Sequence, residues 1–206
     1  MAENKVRFGI QNVYVAFLNA DETDYGTPIR IPGARNLTTD PQGESNNWYA
    51  DNIPFVTFNS NSGYTGSLEL ALIPDAVLAE MFGWTIDANG ALVEDAEGVP
   101  KSFALLFEVK GDKKNRRNVF YNVSATRPGS NNQTQEESID PNTETLNITM
   151  IPRTIQMSTG QGATVSKNIT KASMEPSTQG QAAYDAFFNA VYIPQLGTSS
   201  SGVQGA

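Results

Sequence analysis

The stretch FALLFEVKGDKKNRRNVFYNVSAT, residues Phe103 to Thr126, decides the fold class of this chain. Phe103, Leu105, Phe107 and Val109 recur at spacing two, as do Val119, Tyr121, Val123 and Ala125, which is the alternation of strands burying one face. The hairpin tip between them, Lys110 to Arg117, holds five of the 14 cations: Lys110, Lys113, Lys114, Arg116 and Arg117. Setting these five and Asp112 aside from the 14 basic and 22 acidic residues leaves 9 and 21, a balance of about −12 around a positive finger. Such a charge distribution suits contact with copies of the same chain.

Outward from the hairpin, strands dominate. Val13, Val15 and Phe17 alternate with Tyr14, Ala16 and Leu18, a strand apolar on both sides as expected inside a sandwich or at a subunit boundary. Ile29 and Ile31 stand between Pro28 and Pro32, which favours a sheet edge where a missing amide does little harm. Phe55 to Phe58 and Ser67 to Leu72 read as further strands, the second with Leu68, Leu70 and Leu72 inward. Pro74 opens a helix that runs through Phe82 and stops at Gly83, with Leu78, Met81 and Phe82 on one face to lid the sheet. Asn89-Gly90 reads as a type I′ hairpin turn. Thr178 to Gln181 has the form of a capping box, followed by Tyr184, Phe187, Phe188 and Val191 at helical spacing.

The fold class expected is therefore mainly β: an antiparallel β-sandwich or rolled sheet with two short helices and long extended loops. With 206 residues the chain can bury roughly 70% of its unfolded surface, so residues 1–196 are expected to form one domain. Within it, 33–52 and 128–142 are long polar connections with the character of reaching arms, and 155–181 reads as weak strand or arm. Residues 197–206 have the composition of a disordered tail. No stretch approaches the ~20 apolar residues of a membrane span, and Met1 to Gly9 lacks the apolar core of a secretory signal, so synthesis in a cytoplasm is expected.

The chain contains no cysteine and no histidine. Disulfides, zinc thiolates, histidine bases and Ser/His/Asp triads all drop out together, and no cofactor or metal is expected. Carboxylate chemistry remains, yet no pair of carboxylates stands apart in an apolar surround. Asp87-Ala88-Asn89-Gly90 lacks the ligands that complete a calcium loop, and Gly160-Gln161-Gly162 lacks the Lys-Ser/Thr of a phosphate loop.

Two surface features remain. Residues Asp87 to Pro100 contain no cation and include Glu94, Asp95 and Glu97, which with Glu136 and Glu137 are candidate mates for the basic finger on a neighbouring subunit. Opposite the apolar positions of the strands lie Asn118, Asn122, Ser124 and Thr126, with Phe120 among them, and Thr143, Thr145, Asn147 and Thr149. These series are small, polar and uncharged. A solvated sheet face explains them, and so does a passage for nucleic acid, since each cation on a phosphate would add affinity and arrest transport.

At these residues the chain resembles a known family, the major tail proteins or tail-tube subunits of long-tailed, siphovirus-like bacteriophages. The resemblance rests on Val6-Arg7-Phe8-Gly9 followed by Asn12-Val13-Tyr14, Ile31-Pro32-Gly33-Ala34, Tyr49-Ala50-Asp51-Asn52, Leu72-Ile73-Pro74-Asp75, Phe103 to Glu108, Thr126-Arg127-Pro128 and Thr143-Glu144-Thr145-Leu146, which together span most of residues 5–153. Residues 155–181 depart from the pattern. The resemblance implies a β-sandwich or rolled sheet that assembles into stacked hexameric rings, a virion tail tube through which DNA passes at ejection without specific binding. It also implies no active site, self-association as the main partnership, and contacts with tape-measure, tail-tip and tail-terminator proteins. Two other readings stay open. A carbohydrate-binding or adhesive module of a phage or bacterial surface would use Trp48, Tyr49 and Tyr64, whose plainer role is to anchor loops on the core. The finger itself could grip DNA, as basic clusters do.

Overall fold

The computed structural model describes residues 3–50, 52–130, 142–159 and 163–196. In chain order they form β1 Arg7–Phe17, β2 Ile29–Ile31, β3 Ala34–Gln42, β4 Ser45–Ala50, β5 Ile53–Asn59, β6 Gly63–Leu70, α1 Asp75–Phe82, β7 Thr85–Ile86, β8 Leu92–Val93, β9 Phe103–Gly111, β10 Arg116–Ala125, β11 Gly129–Ser130, β12 Glu144–Met150, β13 Arg153–Ser158, β14 Thr164–Ile169, β15 Lys171–Met174 and α2 Gln181–Asp185. The β9–β10 hairpin sits in the middle of the main sheet, whose order is β2-β1-β9-β10-β12-β6-β3, with antiparallel neighbours throughout. The sheet rolls until β3 comes alongside β1 without pairing to it, so the roll does not close into a barrel.

Two cores follow from that roll. Inside it, Val13, Val15, Phe103, Leu105, Phe120, Val123, Leu146, Ile148, Leu68 and Leu70 pack together, and Val77, Leu78, Met81 and Phe82 of α1 cover them as a lid. Helix α1 ends where the sequence indicates: Gly83 adopts φ +69°, and a Cβ there would lie 2.8 Å from the Val99 nitrogen. On the other face of β9 and β10, Ala16, Ala104, Leu106, Val119 and Tyr121 meet Ile155 and Met157 of β13 and Phe187 beyond α2. Strand β9 is thus buried on both faces from Phe103 to Glu108, where alternation alone promised one wet face.

Strand β10 corrects the expectation more sharply. A bulge between Phe120 and Val123 shifts the register, so Val119 and Tyr121 point into the outer core whereas Val123 and Ala125 face the inner one. Below the bulge β10 pairs with β15 through Arg117–Phe120; above it, Val123–Ala125 pair with β12. Asn118 is consequently buried, accepting a hydrogen bond from the Ser173 hydroxyl at 2.8 Å and donating to the Arg116 carbonyl at 3.1 Å.

Other elements differ from their reading in instructive ways. The polar connection 33–52 is largely strand, β3 and β4. Part of 128–142 is strand as well, since β11 pairs with β12, while residues 131–141 and the tail 197–206 lie outside the described residues. The segment 155–181 supplies β13, β14 and β15, and Ile155 and Met157 are buried. The β7–β8 hairpin forms, but its turn is not type I′. Gly90 has φ +85° and Asn89 does not have positive φ, and the Asp87 carboxylate accepts the Asn89 and Ala91 amides, both at 2.8 Å. Helix α2 begins at a Gly180 N-cap without a side-chain cap, so Thr178 makes no capping box, although Tyr184 and Phe187 are buried as expected.

Candidate functional site

The outward positions of β10, β12, β6 and β3 fall into register rows on one face. Ser124 pairs with Thr149, Thr149 with Thr65, and Thr65 with Asp40; Asn147 pairs with Ser67 and Ser67 with Thr38; Thr145 pairs with Glu69 and Glu69 with Asn36. Hydroxyls bond across the strands: the Thr38 and Ser67 oxygens lie 2.9 Å apart, and the Gln42 amide donates to the Thr65 hydroxyl at 2.9 Å. Glu69 is held by Thr143, whose hydroxyl donates to it at 2.8 Å, and by Arg35 at 3.2 Å. The rows themselves carry no cation. Of the candidates singled out from sequence, Ser124, Thr145, Asn147 and Thr149 are brought together here, with Thr126 and Thr143 just beyond the ends of β10 and β12. Asn118 is buried elsewhere, and Asn122 is half-buried at the bulge, where its carbonyl accepts the Ile151 amide.

Strands β3 and β6 continue beyond the sheet. Backbone bonds from Ser62 to Gln42 and from Ser60 to Glu44 carry the pairing into β4 and β5, making one ribbon from Ala34 opposite Leu70 to Ala50 opposite Ile53. The six residues of β4 extend it by roughly 20 Å. Every residue of β5 is exposed. Trp48, Tyr49, Ile53, Phe55 and Phe58 have relative exposures of 57 to 64%. Among the described residues the one aromatic ring that Trp48 meets is Phe55, edge-on at 5.9 Å. Trp48 and Tyr49 therefore do not anchor a loop on the core, whereas Tyr64 does, against Phe120 at 5.4 Å.

The basic finger is tethered and only partly free. The Asn4 side chain accepts the amides of Lys113 and Lys114 at 3.0 and 2.8 Å and donates to the Lys114 carbonyl at 2.8 Å. Lys110 and Lys113 are exposed, Lys114 is half-buried, and Arg116 lies 3.7 Å from Glu175. Arg117 is engaged inside the subunit: its Nε donates to Glu108 at 2.8 Å, and its guanidinium stacks on Tyr184 at 4.0 Å and Phe188 at 4.8 Å while donating to the Tyr184 carbonyl. It is not available as a contact residue. Glu94, Asp95 and Glu97 are exposed on a turn shaped by the Glu97 amide donating to the Asp95 carboxylate at 2.9 Å, and no ion pair engages them among the described residues. The finger and this turn sit at opposite ends of β9. Glu136 and Glu137 lie outside the described residues.

Sequence reading missed the buried Glu108. It also accepts hydrogen bonds from the amides of Gln11 and Asn115. Burial alone would raise its pKa, but hydrogen bonds from Arg117 and Gln11, and the Arg117 charge, outweigh that and hold it below 4.5. One signal was available: Arg117 falls opposite Glu108 in the register that this tip imposes. Among the described residues no group of three or more His, Cys, Asp or Glu is placed to hold a metal, and no helix is long and apolar enough to cross a membrane.

No curated protein matches the chain. Among solved structures, a chain of the anti-feeding prophage baseplate, determined by cryo-EM with 6-fold symmetrisation, aligns at 8% identity and TM-score 0.41 over 84% of this chain and 97% of its own. A type six secretion system protein aligns at 11% and 0.35 over 80% and 99%. Both scores are too low to carry an argument. The family model described as phage tail tube protein matches residues 3–192. The chain belongs to the phage tail tube protein family, and its role is structural, in the virion tail.

Proposed function

We propose that this subunit closes into hexameric rings that stack as the tail tube, with the face of β10, β12, β6 and β3 whose register rows carry no cation turned to the bore and DNA crossing it without specific binding. One observation carries the reading: the uncharged β4–β5 end of the ribbon holds five large apolar side chains in water, a surface that a monomer leaves unsatisfied and a neighbour can cover. Closing head to tail satisfies both this arm and the free edge of β3. Acid and hydroxyl groups along the bore give phosphates no cation to pair with, and screening near 8 Å confines the repulsion of the acids to close approach. The subunit has no catalytic role in this reading, is made in the host cytoplasm, and meets tape-measure, tail-tip and tail-terminator proteins at the ends of the stack.

Trp48 and Tyr49 stand among Phe55, Val56 and Phe58, an exposed apolar cluster that favours protein contact over carbohydrate. Negative-stain microscopy of the purified chain is expected to show rings or tubes at high concentration, and Phe55→Ser with Phe58→Ser is expected to leave folded monomers. A monomer at every concentration, or normal tubes from the double variant, overturns the proposal.

A further inference from the structure

Where the rolled sheet fails to close, the seam between β1 and β3 opens into a cleft of about 540 Å³ lined by Arg7, Arg35, Arg116 and Lys171. Two carboxylates answer these four cations: Glu175 lies 3.2 Å from Arg7 and 3.7 Å from Arg116, and Glu69 lies 3.2 Å from Arg35. Lys171 has no carboxylate partner among the described residues, and its ammonium stands over the Phe107 and Phe120 rings at 5.8 and 5.0 Å. Burial, and after it the like charges of Arg116 and Arg7, push its pKa down. Phe8, 53% exposed, forms part of the lining.

The complement lies at the far end of the same strand. The acidic turn Glu94–Glu97 presents three carboxylates, with no ion pair among the described residues, between Val93 and Val99, which are 49% and 77% exposed. The cation that follows it, Lys101, is taken by Glu80 at 3.5 Å. From Phe103, beside the turn, to Val109, in the cleft, β9 spans on the order of 20 Å. One copy cannot fold its turn into its own cleft.

We infer that the acidic turn of one copy seats in the cationic seam of the next, a head-to-tail contact in which carboxylates meet Arg7, Arg35, Arg116 and Lys171 while Val93 and Val99 meet Phe8. Because the two surfaces differ, the contact is heterologous and repeats from copy to copy, as a ring or a stack requires. Edge cations also keep β1 and β3 from pairing with the wrong strand, and only a partner bringing negative charge relieves their mutual repulsion. This inference rests on the self-assembly proposed above, and it moves the positive partner of the turn from the hairpin tip to the seam, which shares only Arg116 with the tip.

Two chains test it by charge reversal. The first carries Glu94→Lys, Asp95→Lys and Glu97→Lys; the second carries Arg7→Glu, Arg35→Glu and Lys171→Glu. Each alone is expected to assemble only at a concentration raised about tenfold or more, and an equimolar mixture is expected to recover assembly, because each turn then finds an oppositely charged seam. Zero-length carbodiimide coupling of the unaltered assembly, which needs no variant to fold, is expected to join the Lys171 amine to a carboxylate of 94–97 between copies. Assembly of either reversed chain at the unaltered concentration, failure of the mixture when both chains are folded, or coupling without that cross-link overturns the inference. So does a seam that binds duplex DNA while the turn is dispensable. If the unaltered chain never assembles, the tube proposal fails first, and the two failures are thereby told apart.

Discussion

At the residue scale, the Glu108–Arg117 pair shows how a charge interior to the fold fixes a surface feature. It joins the root of the β9–β10 tip to α2 through Tyr184. Glu108 has a folded pKa below 4.5, so its stabilising contribution is complete above that value and is lost as pH falls through the lower folded one. Glu108→Gln leaves a guanidinium without its counter-charge and is expected to cost about 3 kcal/mol at neutral pH. The gap from the unaltered protein should narrow steadily in acid, as measured by urea unfolding across a pH series; a gap independent of pH would mean that the pair contributes nothing electrostatic. Glu108 hid in the sequence because it sits in an apolar run whose alternation assigned it to solvent, and only cross-strand register reveals its partner.

At the element scale, one ribbon carries two chemistries. Its root, β3 and β6, turns Leu68 and Leu70 into the inner core, and its extension, β4 and β5, turns Trp48, Phe55 and Phe58 to water. Leu68→Ala is expected to destabilise the subunit by about 2–5 kcal/mol. Phe55→Ser with Phe58→Ser should leave the monomer within about 0.5 kcal/mol, because those rings lie off the core. Thermal unfolding of dilute protein checks both, and equal losses would contradict the division. Strands β1, β6 and β12 and helix α1 were legible in the sequence because each buries one periodic apolar set, β1 adding a second, although Leu72, read as inward, lies beyond the end of β6 and is exposed. In the ribbon, β3 and β4 were not legible, since polar residues on both faces of them remove the alternation and leave only a long connection, although β5 was legible at Phe55 to Phe58. Nor was the bulge near Asn122, where one extra residue exchanges the faces of β10 and removes Asn118 and Asn122 from the polar face. Thr38, Thr65 and Ser67 replace them, and the cross-strand order that joins them to Thr149 and Asn147 is set by tertiary pairing alone.

At the scale of the whole molecule, a chain of net charge −8 gathers cations at a seam and a finger and keeps them off the register rows of one sheet face. If that face lines the proposed bore, placing lysine at Ser124, Thr149 and Thr65 should leave tubes intact yet make them retain DNA, with affinity falling steeply as salt rises. Retention unchanged by the three lysines would put the face elsewhere. The most direct measurement is a cryo-EM reconstruction of tubes assembled from the pure chain. The account predicts that Thr38, Thr65, Ser67 and Thr149 border the channel while Trp48, Phe55 and Phe58 are buried against a neighbouring subunit; a bore lined by Lys110, Lys113 and Arg116, with that hydroxyl face turned outward, would contradict it.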